Sequence, residues 1–138
     1  MSDPIAIGGP LLSAEGLEKR YAVRRGIFGA RRGDLPALRG VGFRIEEGRT
    51  LGLVGESGSG KTTAGRIVAR LTEPDSGSVV FDGVDWLALE GRELRRRRRE
   101  LQVVFQDPQT SLNPRMRAGD QVAEPLRVHG LAHGRALA

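Results

Sequence analysis

Two periods of hydrophobic and polar positions run along this chain, and together they predict strands alternating with helices. Strands are indicated where apolar residues run together or alternate with polar ones, at residues 11–17, 50–54, 78–81 and 101–105. Residues 37–45 alternate near their end, and Glu46-Glu47-Gly48 then turns the chain into the run 50–54, so we expect a hairpin-like pair there. The runs 50–54 and 101–105 are typical of buried strands, and 50–54 suits a parallel sheet.

Helical spacing occurs in three segments. After the apolar run at 50–54, apolar residues recur at intervals of three and four residues, which predicts a helix over 63–71; they are Ala64, Ile67, Val68 and Leu71. Weaker patterns predict a short helix over 87–100, which carries the run Arg95 to Arg99, and another helix over 118–128. Segments rich in turn residues predict a flexible lead-in at 1–10, a mobile loop at 21–36, and turns at 73–77 and 82–83.

A glycine-rich loop lies between the run 50–54 and the first helix. It reads Gly55, Glu56, Ser57, Gly58, Ser59, Gly60, Lys61, Thr62, and Thr63 follows. Its glycines allow successive backbone N–H groups to turn inward, and the following helix adds partial positive charge from its dipole. Lys61 supplies a positive charge for β- and γ-phosphates, and the Thr62 hydroxyl is suited to bind the accompanying magnesium ion. The loop therefore predicts a nucleoside triphosphate site.

Composition and length limit which kinds of protein this chain can be. The 138 residues fit one domain or part of a larger one, and they carry a net charge of +5. No cysteine is present, which excludes disulfides, thiolate metal sites and cysteine nucleophiles. The N-terminus lacks the pattern of a secretory signal, and no apolar run is long enough to span a membrane. We therefore expect a cytoplasmic chain whose membrane role, if it has one, runs through a partner.

A second motif distinguishes among proteins with such a loop. Residues 104–115 read Val-Phe-Gln-Asp-Pro-Gln-Thr-Ser-Leu-Asn-Pro-Arg. This segment resembles the Q-loop of ATP-binding cassette (ABC) transporters, and its Ser-Leu-Asn-Pro-Arg ending resembles the oligopeptide and dipeptide importer branch. Further stretches are similar to that branch at 38–43, 54–63, 70–77 and 124–126. The resemblance extends from about residue 12 to residue 131.

The resemblance implies a fold and a domain division. The fold would be α/β, a P-loop NTPase with a RecA-like core and an N-terminal antiparallel β-subdomain. Residues 11–138 would form the N-terminal part of an ABC-type ATP-binding domain, truncated before the signature motif. The cofactors implied are ATP and Mg²⁺. The implied partners are transmembrane permease subunits and a second ATP-binding subunit, so the chain would lie at the inner face of the cell membrane.

Individual residues also take roles from the resemblance. Gln106 would lie at the end of a core strand and contribute to the environment of magnesium and the attacking water beside Thr62. Tyr21 would stack on adenine. The loop after Gln106 would dock against the permease and couple nucleotide state to solute movement.

Several family motifs are missing from these 138 residues. They are the Leu-Ser-Gly-Gly-Gln-type signature, the acidic strand end for magnesium, the adjacent catalytic glutamate and the switch histidine. His129 and His133 stand in the wrong context for the switch, and we expect both to face solvent. Phosphoryl transfer needs a base or an oriented water beside the γ-phosphate. We therefore expect this chain to bind ATP with magnesium and to hydrolyse it negligibly.

Two other functions remain open on sequence alone. The arginine run and a pI of 10.9 suggest a nucleic-acid-binding module. Consecutive arginines on a helix point in all directions, however, and aromatic residues make up only 4% of the chain, so direct nucleic-acid binding is not expected. A different P-loop enzyme, such as a small-molecule kinase, would give the segment 106–115 no role. The sequence does not name the transported solute.

Overall fold

The computed structural model describes residues 9–24, 31–106 and 112–131. The chain divides into two compact units, residues 1–89 and residues 90–138. The expected lead-in at 1–10 lies almost entirely outside the described residues.

The first unit contains an antiparallel sheet and one helix. Its described strands are β1 (Leu12–Arg24), β2 (Arg31–Ile45), β3 (Ser76–Phe81) and β4 (Val84–Asp85). They lie in the order β2-β1-β3-β4, and every neighbouring pair is antiparallel. Helix α1 (Lys61–Val68) lies between β2 and β3 in the sequence. The strands expected near 11–17 and 78–81 are confirmed, and so is the antiparallel subdomain.

The mobile loop expected at 21–36 is wrong for most of its length. Tyr21 pairs with Leu35 and Ala22 with Asp34, so β1 and β2 continue as a long two-stranded ribbon. Gly33 adopts a φ of +141°, which is available mainly to glycine, and it lies next to shifts in the strand register. A glycine therefore suits this irregular part of the ribbon. Cross-strand hydrogen bonds therefore outweigh the loop preference of the composition. Residues 25–30 lie outside the described residues.

The pairing expected for residues 50–54 is also wrong. β2 pairs with β1 rather than with this run, and residues 49–56 form no strand. Leu51 and Leu53 are exposed, and Val54 is 97% exposed. A strand is defined by its hydrogen-bonded neighbour, and no described residue supplies one here. An apolar run shows only that a segment suits burial.

The core of the first unit lies between the sheet and α1. Its buried side chains come from β1, β2, α1, β3 and the segment after β4; the largest that are fully buried are Leu17, Ile67, Val79 and Trp86. The indole N–H of Trp86 donates to the carbonyl oxygen of Val68 at 2.7 Å, and its ring meets Phe81 edge to face at 5.1 Å. Trp86 thus attaches the C-terminal end of α1 to the sheet.

The first helix begins earlier and ends earlier than its apolar spacing predicts. It begins at Lys61 and ends at Val68, and Leu71 is exposed beyond its end. The N–H of Arg70 donates to Ile67 O at 2.9 Å, and that of Leu71 donates to Arg66 O at 2.8 Å. These two bonds form a Schellman motif, with Arg70 in the left-handed conformation at φ +54°. The motif turns the chain out of the helix.

The second unit contains short helices joined by irregular segments. They are α2 (Gly91–Arg97), a 3₁₀ turn (Arg98–Glu100) and α3 (Ala118–Val128). The helix expected over 87–100 therefore begins four residues late, because Asp85 accepts the N–H groups of Leu87 and Ala88 and holds that segment in a turn. Helix 118–128 is confirmed. No helix in the described ranges is long and apolar enough to cross a membrane.

The strand expected at 101–105 is wrong. No strand is formed there, and Val104 is 92% exposed. As at 50–54, no described strand pairs with this segment.

Candidate phosphate-binding site

The glycine loop ends at the N-terminus of α1, as its sequence predicts. Gly60 caps the helix with a φ of +96°, a conformation that L-residues other than glycine rarely adopt. A Cβ on Gly60 would press against the carbonyl oxygen of Ala37 and lie 2.7 Å from Leu38 Cδ2. The loop therefore folds directly against β2, and a glycine is required at this position for both reasons.

Lys61 closes the loop from inside. Its Nζ donates hydrogen bonds to the carbonyl oxygens of Gly55 at 2.7 Å and Glu56 at 2.6 Å, and to Ser59 Oγ at 3.1 Å. Ser59 N–H donates to Glu56 O at 3.2 Å, which tightens the turn. One ammonium group thus holds the loop in a ring and places its positive charge at the centre of that ring.

The N-terminus of α1 offers hydrogen-bond donors to the same place. The first intrahelical bond runs from Ala64 N to Gly60 O, so the N–H groups of Lys61, Thr62 and Thr63 have no acceptor within the helix. No side chain caps this end, and its first turn contains no acidic residue. These N–H groups and the helix dipole favour an anion.

A small open cavity lies over these groups. Its volume is about 130 Å³, and it is lined by Ala37, Gly58, Ser59, Gly60, Lys61, Thr62 and Thr63. Of the residues predicted for this site, 58–63 line the cavity, and Gly55 and Glu56 contact it through Lys61. Ser57 is exposed on the loop. Ala37 was missed by the sequence analysis, because only the antiparallel pairing of β2 brings it there.

Gln106 lies in the second unit and is exposed. It does not follow a strand, since residues 101–105 form none, which corrects the expected placement at a strand end. Residues 107–111, the first part of the segment expected to dock against a permease, lie outside the described residues. The approach of Gln106 to Thr62 stays a prediction.

The end of that segment is attached to α3. Gln121 on α3 accepts the N–H of Asn113 at 3.1 Å and donates to Asn113 O and Met116 O, both at 3.2 Å. The side-chain amide of Gln121 therefore makes three hydrogen bonds to the backbone of the turn at residues 113–116. Sequence analysis missed Gln121, since nothing in the spacing pairs it with a residue eight positions earlier.

Tyr21 lies on β1 and is 37% exposed. Lys19 Nζ lies 5.9 Å from the ring centroid and 2.8 Å from Asp75 Oδ1. Asp75 Oδ2 also accepts the N–H of Arg20 at 2.6 Å. The hydrogen bonds from Lys19 and Arg20 hold the pKa of the Asp75 carboxyl below its usual value. These contacts fix the strand backbone next to Tyr21.

A family model described as "ABC transporter" matches residues 38–136. The chain belongs to the ABC transporter family.

Curated relatives of this ABC family chain are import ATP-binding proteins by name. A protein of Brucella ovis named as a peptide import ATP-binding protein is 49% identical over 122 residues, which cover 88% of the chain and 36% of the relative. The glutathione import ATP-binding protein GsiA of Salmonella paratyphi A is 42% identical over 136 residues, covering 99% of the chain and 22% of GsiA. The chain therefore spans about a third of the length of the Brucella relative, and less of GsiA.

Solved structures agree with this family. The dimeric structure of MJ0796, a bacterial ABC transporter cassette, matches with a TM-score of 0.70 at 30% identity, covering 89% of the chain and 49% of the cassette. A post-hydrolysis state of the same cassette, bound to ADP and phosphate, matches with a TM-score of 0.71 and 30% identity over 91% of the chain and 52% of the cassette. The fold class expected from the sequence, that of a P-loop NTPase, is confirmed.

Proposed function

We propose that this chain is the ATP-binding part of a nucleotide-binding subunit in an ABC transporter that imports peptides or similar small solutes. The observation that carries the proposal is the ring formed by Lys61 with Gly55 O, Glu56 O and Ser59 Oγ at the N-terminus of α1. The family match and the names of the relatives support it over a nucleic-acid-binding module or a small-molecule kinase.

ATP would be held mainly through its phosphates. The unbonded N–H groups of Lys61, Thr62 and Thr63 converge on the cavity, and Lys61 Nζ supplies a full positive charge there. Phosphate oxygens would replace the loop carbonyls as partners of Nζ, and a charged acceptor makes the stronger hydrogen bond.

A magnesium ion would be held by the hydroxyl oxygen of Thr62 together with phosphate oxygens of the nucleotide. Thr62 lines the cavity beside Lys61, and among the described residues no cluster of three or more His, Asp or Glu could hold a metal ion. A site with one protein oxygen and several phosphate oxygens is one that Mg²⁺ commonly occupies. When bound, the ion neutralises charge on the β- and γ-phosphates. Gln106 would complete this environment from the second unit.

The remaining assignments complete the proposed subunit. Tyr21 stacks on adenine, the segment after Gln106 contacts transmembrane permease subunits, and a second ATP-binding subunit forms the dimer. Residues 11–138 form the N-terminal part of the ATP-binding domain, after a lead-in at 1–10. The subunit lies at the inner face of the cell membrane through the permease. Hydrolysis needs an acidic strand end, a glutamate base and a signature motif, so the 138 residues by themselves bind ATP with negligible turnover.

Titration of the chain with ATP and Mg²⁺ by calorimetry tests this proposal. Replacing Lys61 by alanine removes the charge at the centre of the loop, and we expect ATP affinity to fall by at least tenfold, the loss of one charge-assisted hydrogen bond of about 1.5–3 kcal/mol. Tyr21→Ala removes stacking of about 0.5–1.5 kcal/mol, and should weaken ATP by about twofold to tenfold. Inorganic triphosphate has no base, so its affinity should not change in that variant.

Arg49→Ala is the matched control. Arg49 is exposed in the same unit and lies just before the loop, and its substitution removes one positive charge without touching the loop. Equal losses for Lys61→Ala and Arg49→Ala would show general charge attraction rather than a phosphate site. Steady-state ATP turnover by the 138-residue chain that disappears with Lys61→Ala would refute the proposal that hydrolysis needs further residues.

A further inference from the structure

Four arginines of the second unit converge on one side of α2. Arg92, Arg95, Arg96 and Arg99 line a cavity of about 230 Å³ together with Val128 and His129 at the end of α3. Their spacing of three, four and seven residues places them along one face of the helix and its 3₁₀ continuation. The sequence run Arg95 to Arg99 hides this stripe, because it omits Arg92 and includes residues of other faces.

The other charges of α2 lie on a different face. Glu93, Arg97 and Glu100 also follow helical spacing, and the centre of this set is offset by about a third of a turn from the centre of the arginine stripe, although Glu93 and Glu100 stand three and four residues from Arg96. Arg97 donates to Glu100 at 2.8 Å. Glu100 is therefore paired with Arg97, which is not part of the stripe.

The stripe is not neutralised within the described part of the chain. All four arginines are exposed, and none of their guanidinium groups bonds to a described residue. Arginine stays charged at any physiological pH, so four like charges repel one another along about 10 Å of helix. An anion placed in the cavity would relieve that repulsion.

Guanidinium groups that surround a small cavity fit a phosphate group in particular. Each presents a planar fork of N–H donors that binds two phosphate oxygens at once. A volume of about 230 Å³ is the space of roughly eight water molecules, which suits a single phosphate-bearing headgroup. Val128 adds an apolar side chain at the rim of the cavity, where it is exposed.

We propose that the stripe of Arg92, Arg95, Arg96 and Arg99 binds the phosphate headgroup of an anionic phospholipid. The phosphate chemistry follows from the stripe alone, whereas the membrane as its source rests on the proposed function, which brings the chain to a membrane surface. Clusters of four or more basic residues near a membrane attract anionic lipids.

A nucleic acid fits these observations less well. A stripe of about 10 Å covers only a few phosphates of one strand, whereas duplex binding proteins contact many more. Among the described residues that line the cavity, the imidazole of His129 is the one aromatic ring, so bases have little to stack on there.

Flotation of the full chain with lipid vesicles tests the proposal, and flotation also separates bound protein from aggregates. The chain should bind vesicles that contain phosphatidylglycerol and not vesicles of phosphatidylcholine alone. Each arginine near an anionic surface is worth about fivefold in binding, so Arg95→Gln with Arg96→Gln should weaken binding by about 25-fold. Glutamine has a similar helix propensity, so α2 is retained, which circular dichroism checks.

The matched control lies in the same run of five arginines. Arg97→Gln with Arg98→Gln removes the same charge from adjacent positions outside the stripe, and binding should stay within about threefold of the parent chain. Equal losses in the two double variants would overturn the proposal, since the effect would then be net charge. Absence of binding to phosphatidylglycerol vesicles, or equal binding to phosphatidylcholine, would overturn it as well.

Two further arms identify the source of the phosphate. Inorganic phosphate offers the same oxygens and should displace the chain from vesicles only in part; complete displacement at a phosphate concentration equal to that of the exposed headgroups, beyond the effect of chloride at equal ionic strength, would mean that the site prefers a free anion and would overturn the lipid assignment. Duplex DNA that binds more tightly than vesicles, with the same loss in the Arg95/Arg96 variant, would overturn it in favour of nucleic acid. ATP affinity of the same preparations reports separately on the proposed function, because Lys61 and α2 belong to different units.

Discussion

Arg70 offers a direct test of how the first unit is held together, because its backbone and its side chain act in opposite directions. It stands at the position after a helix end where glycine is preferred, with a φ of +54°. Its side chain is buried, and Nη1 donates to Trp86 O at 2.9 Å and to Leu87 O at 2.5 Å. Nη2 donates to Leu89 O at 3.2 Å.

The two contributions can be separated by substitution. A left-handed conformation costs an L-residue about 1–2 kcal/mol, and glycine avoids that cost. Loss of the side chain leaves carbonyl oxygens without their charged donor, at about 1–3 kcal/mol for each buried group. We therefore expect Arg70→Ala to lower the free energy of unfolding by about 3–5 kcal/mol, and Arg70→Gly to lower it by about 1 kcal/mol less.

Arg70→Lys is the milder variant. It keeps the charge and the backbone strain, but one ammonium group on a flexible chain cannot reproduce the fork that reaches three carbonyls. Its expected loss is about 1–3 kcal/mol, which stays measurable if the alanine variant fails to fold.

Urea unfolding followed by the fluorescence of Trp86 measures these values, since Trp86 is the only tryptophan and is fully buried. If Arg70→Gly is no more stable than Arg70→Ala, the strain argument is wrong. If all three variants lose less than about 1 kcal/mol, the buried hydrogen bonds contribute nothing net, contrary to the reasoning above.

Two further predictions concern glycine positions and pH. Gly60→Ala should lower ATP affinity and unfold the first unit more easily, because its Cβ would meet Ala37 O at a φ of +96°, whereas Gly65→Ala, in open space on α1, should stabilise by about 0.5–1 kcal/mol. Thermal unfolding compares the two, and equal effects would contradict the steric argument. The Asp75 carboxyl has a lowered pKa in the folded chain, so its pairing with Lys19 stabilises above the unfolded pKa and is lost as pH falls through the folded one. The difference in stability between Asp75→Asn and the parent chain should therefore be largest near neutral pH and vanish in acid; a difference that is constant with pH would refute this.

The candidate site shows which inferences from sequence hold. Gly55 to Thr62 are adjacent in the chain, and the loop they form depends on local backbone conformation, so spacing alone predicted the loop and the helix after it. The wall behind Gly60 depends on Ala37 in another strand, and no local pattern indicated it. The arginine stripe needed the helix bounds, because the sequence run and the helical face select different residues.

The strands show where such inference fails. Apolar runs at 50–54 and 101–105 predicted buried strands, yet burial and pairing depend on neighbours that the described residues do not supply. The glycine- and arginine-rich segment 21–36 predicted a loop, yet its backbone pairs across β1 and β2. Composition reports the preference of a segment, whereas a ladder of hydrogen bonds depends on its partner.

By itself the sequence determined the chemistry that this chain can offer. It set a glycine-rich loop with one internal lysine, which we propose binds phosphate, a helix that begins at that loop, and a second motif typical of the ABC family, because each of these features consists of adjacent residues. Only the tertiary structure decided which strands pair, and that the buried Arg70 side chain donates to three carbonyl oxygens. It also decided that four arginines line one cavity with the end of α3. Those features join residues that lie far apart in the chain or on different turns of a helix, so they depend on packing and on where the helix begins and ends.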